Sequence, residues 1–294
     1  MRRFSGVRLA AAGSVLGCVL ALVTALPASA TSENKPSPGS YLALGDSVPF
    51  GYNPQLVAPG VSPDSFVGYP QLASKLIWPK LTLSNASCPG ETSTSLVNGP
   101  QLPNLCARFR SIAGLHVSYP GSQLQYAESY VAANPRTRLV SLMIGANDLF
   151  ALQDACAGQV PPLPPAGVNA CIIGGLPGLL TTVQKNISTI YSSLRAAGFT
   201  GDFVAVTYYS TNYADPVVTG AVAALNQVLA GVTRSFGGRV ANGFATFGAV
   251  AGFFGGDTCK AGLLIHLTPT TCDIHPSRTG AALLAFTLVA AQRH

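Results

Sequence analysis

The chain has 294 residues, 48% hydrophobic and 10% charged, with seven cysteines and a formal charge of +6. That length holds one large domain or two small ones. The basic residues are scattered, with no run that would track a phosphate backbone, which excludes nucleic acid as a partner class.

The N-terminus reads as a targeting segment. Arg2, Arg3 and Arg8 flank an almost wholly apolar run from Leu9 to Leu26, and Pro27-Ala28-Ser29-Ala30 supplies an A-x-A cleavage site. This predicts a signal peptide over residues 1–30, cleaved after about Ala30, and a secreted protein with no stable membrane anchor. An uncleaved anchor is the alternative, opposed by the Gly, Ser and Ala content and by the cleavage site. Val15-Leu16-Gly17-Cys18 loosely resembles a lipoprotein box, but the apolar run continues past Cys18. Loss of residues 1–30 removes three arginines and no acids, so the mature charge falls to +3.

Six cysteines then remain, an even number that in an exported chain predicts disulfides. Consecutive pairs are separated by 18, 15 and 13 residues, with longer gaps between pairs. That spacing predicts Cys88–Cys106, Cys156–Cys171 and Cys259–Cys272, each worth roughly 3 kcal/mol. No C-x-x-C or paired histidines favour a metal, and no cofactor is expected.

Residues 31–39 read as a polar, Pro-rich linker and residues 40–294 as a single domain. Tyr41–Leu44 is the first strand, ending in Gly45-Asp46-Ser47. Gly51 to about Ser65 is loop-like, Tyr69–Leu76 helical, and Leu81–Leu83 a short strand running into Pro89-Gly90 and a helix start near Ser93. Residues 98–121 look irregular. Gln123 to Ala133 is a helix closed by Pro135, and Leu139–Ile144 is a buried strand ending at Gly145-Ala146-Asn147-Asp148. A Pro-rich excursion follows at Val160 to Pro165. Leu179, Val183, Ile187, Ile190 and Leu194 then recur at helical spacing, with Gly198 as terminator. Phe203–Tyr208 is a strand, Val217 to Phe236 a helix, Arg239–Ala241 a strand, and 251–272 a loop. A final helix covers Arg278 to Ala290. This alternation predicts an α/β fold with a mostly parallel sheet covered on both faces, and a site at the carboxyl ends of its strands.

Ester chemistry needs a nucleophile, a base, and donors for an oxyanion. Ser47 is the nucleophile candidate, with helix capping as the competing role. Gly90 and Asn147 follow the second and third strands, where a backbone N–H and a side-chain amide can donate; taken singly, each is equally an ordinary turn residue. Of the histidines, His294 is terminal, and His116 and His266 lie in loop-rich stretches and read as solvated or structural. His275, before Pro276 and a helix start, is the base candidate.

The order Gly45-Asp46-Ser47, Gly90, Gly145-Ala146-Asn147-Asp148 and His275-Pro276-Ser277 resembles the SGNH, or GDSL, hydrolase family of lipases and esterases. The resemblance implies a three-layer, flavodoxin-like α/β/α sandwich, with Ser47 as nucleophile and His275 as base. It implies an oxyanion hole from the Ser47 and Gly90 N–H groups and the Asn147 amide, with Asp46 and Asp148 tying loops together. The six cysteines are similar in arrangement to those of secreted bacterial lipases of the family. One position departs from the pattern. The family's acid stands three residues before the histidine, where this chain has Cys272; Asp273 lies two before. Either Asp273 orients His275, since alternate residues of an extended strand point the same way, or a backbone carbonyl near Cys272 does, leaving a Ser–His dyad.

The expected function is a secreted, monomeric serine esterase or lipase acting on a small-molecule or lipid ester. A carbohydrate or cell-wall acetylesterase of the same mechanism is the sibling reading. A non-catalytic secreted binding protein is the reading from a different class.

Overall fold

The computed structural model describes residues 39–100 and 104–292. The expected signal peptide, nearly all of the linker, and His294 lie outside the described residues.

In chain order the elements are β1 (Ser40–Gly45), α1 (Ser47–Phe50), α2 (Tyr69–Leu76), β2 (Thr82–Asn85), α3 (Ser93–Asn98), α4 (Leu105–Ile112), α5 (Gln123–Ala133), β3 (Thr137–Met143), α6 (Ala146–Ala157), α7 (Pro165–Ala196), β4 (Asp202–Val206), α8 (Pro216–Ser235), β5 (Arg239–Ala241), α9 (Gly243–Ala251), β6 (Leu264–His266), β7 (Cys272–Pro276) and α10 (Arg278–Gln292). Short 3-10 turns fill the loop after α1 and follow α9.

Five parallel strands form one sheet in the order β2-β1-β3-β4-β5. This is the flavodoxin-like order, and it reverses between β1 and β3, where ligands of such sheets bind. Every residue of β1 is buried, as is all of β3 except Arg138, which explains why both read as apolar runs rather than alternating ones. α3, α5, α7 and α8 pack together on one face, and α2, α9 and α10 on the other. The main core runs through Leu42, Leu44, Leu142, Phe203, Ile187 and Leu284. The three-layer expectation holds.

Several expected boundaries move. Residues 98–121 contain α4, capped by Asn104, whose Oδ1 accepts from the Cys106 N–H at 2.8 Å. Asn147 lies in the first turn of a full helix, α6. Helix α7 begins at Pro165 rather than near Leu179 and continues through Pro177. The periodicity from Leu179 onward marks only its buried half, because Val183, Ile187, Ile190, Tyr191 and Leu194 are the residues it buries. Within 251–272, Leu264–His266 pairs antiparallel with Cys272–Pro276 as a hairpin outside the main sheet, so His275 lies on a strand. The three disulfides join the expected partners, with Cα–Cα distances of 5.6, 5.7 and 5.7 Å.

Candidate active site

Strand β1 ends at Gly45, whose φ is +138°; a side chain there would meet the Met143 carbonyl oxygen at 2.1 Å. Only glycine lets β1 and β3 stay in register while the chain turns. Asp46 then caps α1, accepting from the Val48 N–H at 3.0 Å, and Ser47 becomes the first helical residue. Ser47 therefore starts a helix, while Asp46 takes the capping role.

His275 reaches Ser47 from the β6–β7 hairpin. Its Nε2 lies 2.7 Å from Ser47 Oγ. Its Nδ1 meets Asp273 Oδ1, which also accepts from the His275 backbone N–H at 3.0 Å. A carboxylate only accepts, so Nδ1 carries the proton and Nε2 presents its lone pair to the serine hydroxyl. Burial pushes the Asp273 carboxyl up, but its hydrogen bonds and attraction to His275 outweigh this and hold it below the usual carboxylate range. Of the two ways of holding the imidazole, the structure has the carboxylate. The nearby Ile274 carbonyl is engaged elsewhere, accepting from Tyr209 Oη at 2.7 Å. Cys272 opens the same strand and is tied to Cys259, and the Tyr52 ring lies 4.8 Å from the imidazole, centroid to centroid.

Gly90 and Asn147 border the cleft that Ser47 and His275 open into. Gly90 has φ +79°, and a Cβ there would stand 2.1 Å from the Leu105 side chain, so the turn requires glycine to pass beneath α4. The Asn147 amide donates one hydrogen to the Glu91 carbonyl at 2.9 Å, leaving the second for a ligand. His116 is structural as expected: its Nε2 lies 2.9 Å from the Phe50 carbonyl, and burial lowers its pKa. His266 is exposed.

Asp148 ties two helix starts together, accepting from the Ser93 N–H at 2.8 Å and hydroxyl at 2.7 Å. Asp46 accepts from Tyr208 Oη, and burial pushes its carboxyl up to about 6 against that hydrogen bond and the one from Val48.

The support beneath these groups escaped the sequence. Buried Gln123 clamps Gly45 on both sides, accepting from its N–H at 2.6 Å and donating to its carbonyl at 3.0 Å. Its amide also reaches the Glu91 carboxylate at 3.2 Å. Asn226 clamps Tyr208 the same way, at 2.8 and 2.7 Å. Burial pushes Glu91 up to about 7, opposed by Ser95, the Arg110 charge and Gln123. Tyr208 offered one signal, its position at the carboxyl end of β4 on the same rim; Gln123 and Asn226 offered none.

Two spaces meet at Ser47. A recess of about 90 Å³ is lined by Leu149, Phe150, Tyr209, Val222, Leu225 and Ile274. A cleft of about 480 Å³ runs past Tyr52, Val57, Gly90, Leu105, Phe109 and Ile112. Both linings are mainly apolar. Among the described residues, the two groupings of possible metal ligands each depend on cysteines that are paired in disulfides.

A hydroxyl, an imidazole and a carboxylate in hydrogen-bonded series, at the switch point of a flavodoxin-like sheet, form the constellation of a serine-type hydrolase. The chain belongs to the GDSL-like lipase/acylhydrolase family, whose model matches residues 43–283, and is thereby a hydrolase acting on esters. Solved structures of similar fold include phospholipase A1 from Streptomyces albidoflavus NA297 (20% identity, TM-score 0.59, covering 87% of this chain and 100% of that one). A lipase from a goat rumen metagenome shares 14% identity at TM-score 0.56, covering 86% of this chain and 97% of that one. An acetylxylan esterase from Geobacillus stearothermophilus shares 16% at TM-score 0.51, covering 87% and 94%. At these identities the likeness is one of fold. No curated protein sequence matches the chain.

Proposed function

We propose that the protein is a secreted, monomeric serine esterase that cleaves lipid esters through an acyl-enzyme on Ser47. The observation that carries this reading is the 2.7 Å contact between Ser47 Oγ and an imidazole whose other nitrogen is held by Asp273. In it, His275 Nε2 takes the hydroxyl proton as Oγ attacks the ester carbonyl. The Ser47 and Gly90 N–H groups and the second Asn147 amide hydrogen receive the oxyanion. Collapse expels the alcohol, protonated by His275, and water then repeats the sequence on the acyl-enzyme.

The mainly apolar lining of the cleft supports a lipid ester over a sugar ester, with Tyr52 and Arg108 as its polar side chains away from the Ser47–His275–Asp273 series and Asn147. The recess favours the sibling reading. It is smaller than the roughly 150 Å³ cavity that takes a benzene ring, and so suits a short acyl group such as acetyl. Three disulfides and the N-terminal sequence support export.

Ser47→Ala should abolish hydrolysis of a chromogenic ester with an unchanged melting temperature, and an alkyl phosphonate should label only the wild type. Full activity in the variant, or no adduct on the wild type, would overturn the assignment. A chain-length series set beside acetylated xylan separates the two substrate readings.

A further inference from the structure

From Ala155 to Gln184 the chain contains no Asp, Glu, Lys or Arg, and no aromatic residue. This stretch forms the end of α6, the loop after it, and the first half of α7. A charge-free segment in a globular domain ordinarily lies in the core. Here none of residues 165–182 is buried, and Cys156 is the only buried residue of α6. Val160 is 93% exposed and Ile173 61% exposed. α7 is long and apolar enough to cross a membrane, yet only 6% of its most apolar window is fully buried, with Leu179 and Leu180 packed part-buried against the core.

The hairpin is held by its own parts. The Cys156–Cys171 disulfide joins its arms, and Gly175 fits against the Leu152 side chain. Its hydroxyls turn inward: Thr181 donates to the Pro177 carbonyl at 2.9 Å and Thr182 to the Gly178 carbonyl at 3.1 Å. Such back-bonding leaves these groups in no need of water.

The hairpin and the cleft share α6, with exposed Gln153 and Asp154 between Phe150 and the charge-free stretch. α6 starts at the rim with Ala146 and Asn147, and Phe150, one turn on, lines both the recess and the cleft. The mouth itself carries Leu105, Ile112, Val218 and Ile274, which are 57, 52, 39 and 43% exposed. Exposed apolar side chains gathered around a cleft mark an interaction site. From Ala155 to Gln184 the hairpin offers no charged group with which a protein partner could pair. An uncharged surface whose hydroxyls are internally satisfied is matched instead by a lipid surface.

We propose that the α6–α7 hairpin docks the enzyme reversibly on a lipid surface, seating its apolar face at the headgroup–acyl boundary with the mouth of the cleft facing the same surface. The proposal rests on the ester-hydrolase reading for its purpose, but the docking itself is testable without turnover. Val160→Asp and Ile173→Asp would place charge at the point of entry, where apolar area supplies the affinity.

The test is flotation of Ser47→Ala protein with phosphatidylcholine vesicles, beside the same protein carrying Val160→Asp and Ile173→Asp. The parent should float with the vesicles, and the double variant should partition at least about tenfold less, equivalent to roughly 1.4 kcal/mol. In the active enzyme the same pair should slow hydrolysis of a vesicle-borne long-chain ester by a similar factor. Turnover of a water-soluble short-chain ester should stay within about twofold. Equal flotation of the two proteins, or none by the parent, would overturn the proposal. So would a parent dimer that the substitutions dissolve without any vesicle binding, which would assign the face to a second copy. Should the helical substitution unfold the protein, Val160→Asp alone in the exposed loop carries the test, with an expected loss of about threefold. Vesicle binding lost in the variant with no ester hydrolysis by the wild type would leave the docking standing and the esterase reading fallen.

Discussion

Asp273 and His275 stand two residues apart on one strand, and a single carboxylate oxygen of Asp273 receives both the backbone N–H and the imidazole Nδ1 of His275. The period-two geometry of a β-strand puts the two side chains on one face, so the acid does not need the three-residue spacing of the family pattern.

Asp273→Asn should therefore be severe. An asparagine amide presents a donor to Nδ1 and favours the tautomer with the proton on Nε2, which cannot accept from Ser47. Turnover should fall roughly 10²- to 10⁴-fold, with KM little changed. A loss below about threefold would show that another group orients the imidazole.

Asn147→Ala removes one oxyanion donor and the bond to the Glu91 carbonyl. The expected loss is roughly 10²- to 10³-fold in kcat. Steady-state kinetics on a soluble ester checks this; a change in KM alone would place Asn147 in substrate binding instead.

Glu91 makes stability depend on pH. Its carboxyl titrates at about 7 in the folded protein against an ordinary value of 4.5. The native state thus holds that proton more tightly than the unfolded chain. The contribution is full below the ordinary value and is lost as pH rises through the folded one, an effect of about 3 kcal/mol at most. Urea midpoints at pH 5 and pH 8.5 should differ in that direction for the wild type and differ less for Glu91→Gln. Asp46, pushed up to about 6, acts with the same sign over a lower window and persists in the variant.

The Cys259–Cys272 disulfide closes the loop that ends one residue before Asp273. Cys259→Ser with Cys272→Ser should cost about 3 kcal/mol of stability by chain entropy alone. Because the β6–β7 hairpin stands outside the main sheet, its loosening should also lower kcat at temperatures where the variant is still folded. Melting curves and initial rates measured together distinguish the two effects.

The sequence was informative where chemistry depends on residue type at a strand end. Ser47, Gly90 and Asn147 meet in the structure because they follow the carboxyl ends of β1, β2 and β3, neighbours in one parallel sheet, and His275 reaches them from the β6–β7 hairpin. It was silent where partners are distant. Gln123 holds Gly45, and Asn226 holds Tyr208, through contacts that no local pattern announces. α4 was missed because its short amphipathic stretch depends on the Asn104 cap and the bond from Cys106 to Cys88. The start of α7 was missed because Gly174, Gly175, Pro177 and Gly178 interrupt the pattern, although Pro165 at its first turn is well suited to begin a helix.

Pro177 has a consequence for the timescale of motion along α7. Having no N–H, it leaves the Ile173 carbonyl without its helical donor, just before the helix passes from exposed to buried residues at Val183. The helix is thus divided into two cooperative units of unequal opening free energy. Amide hydrogens before Pro177 should exchange through local opening, and those from Val183 to Leu194 only with disruption of the core.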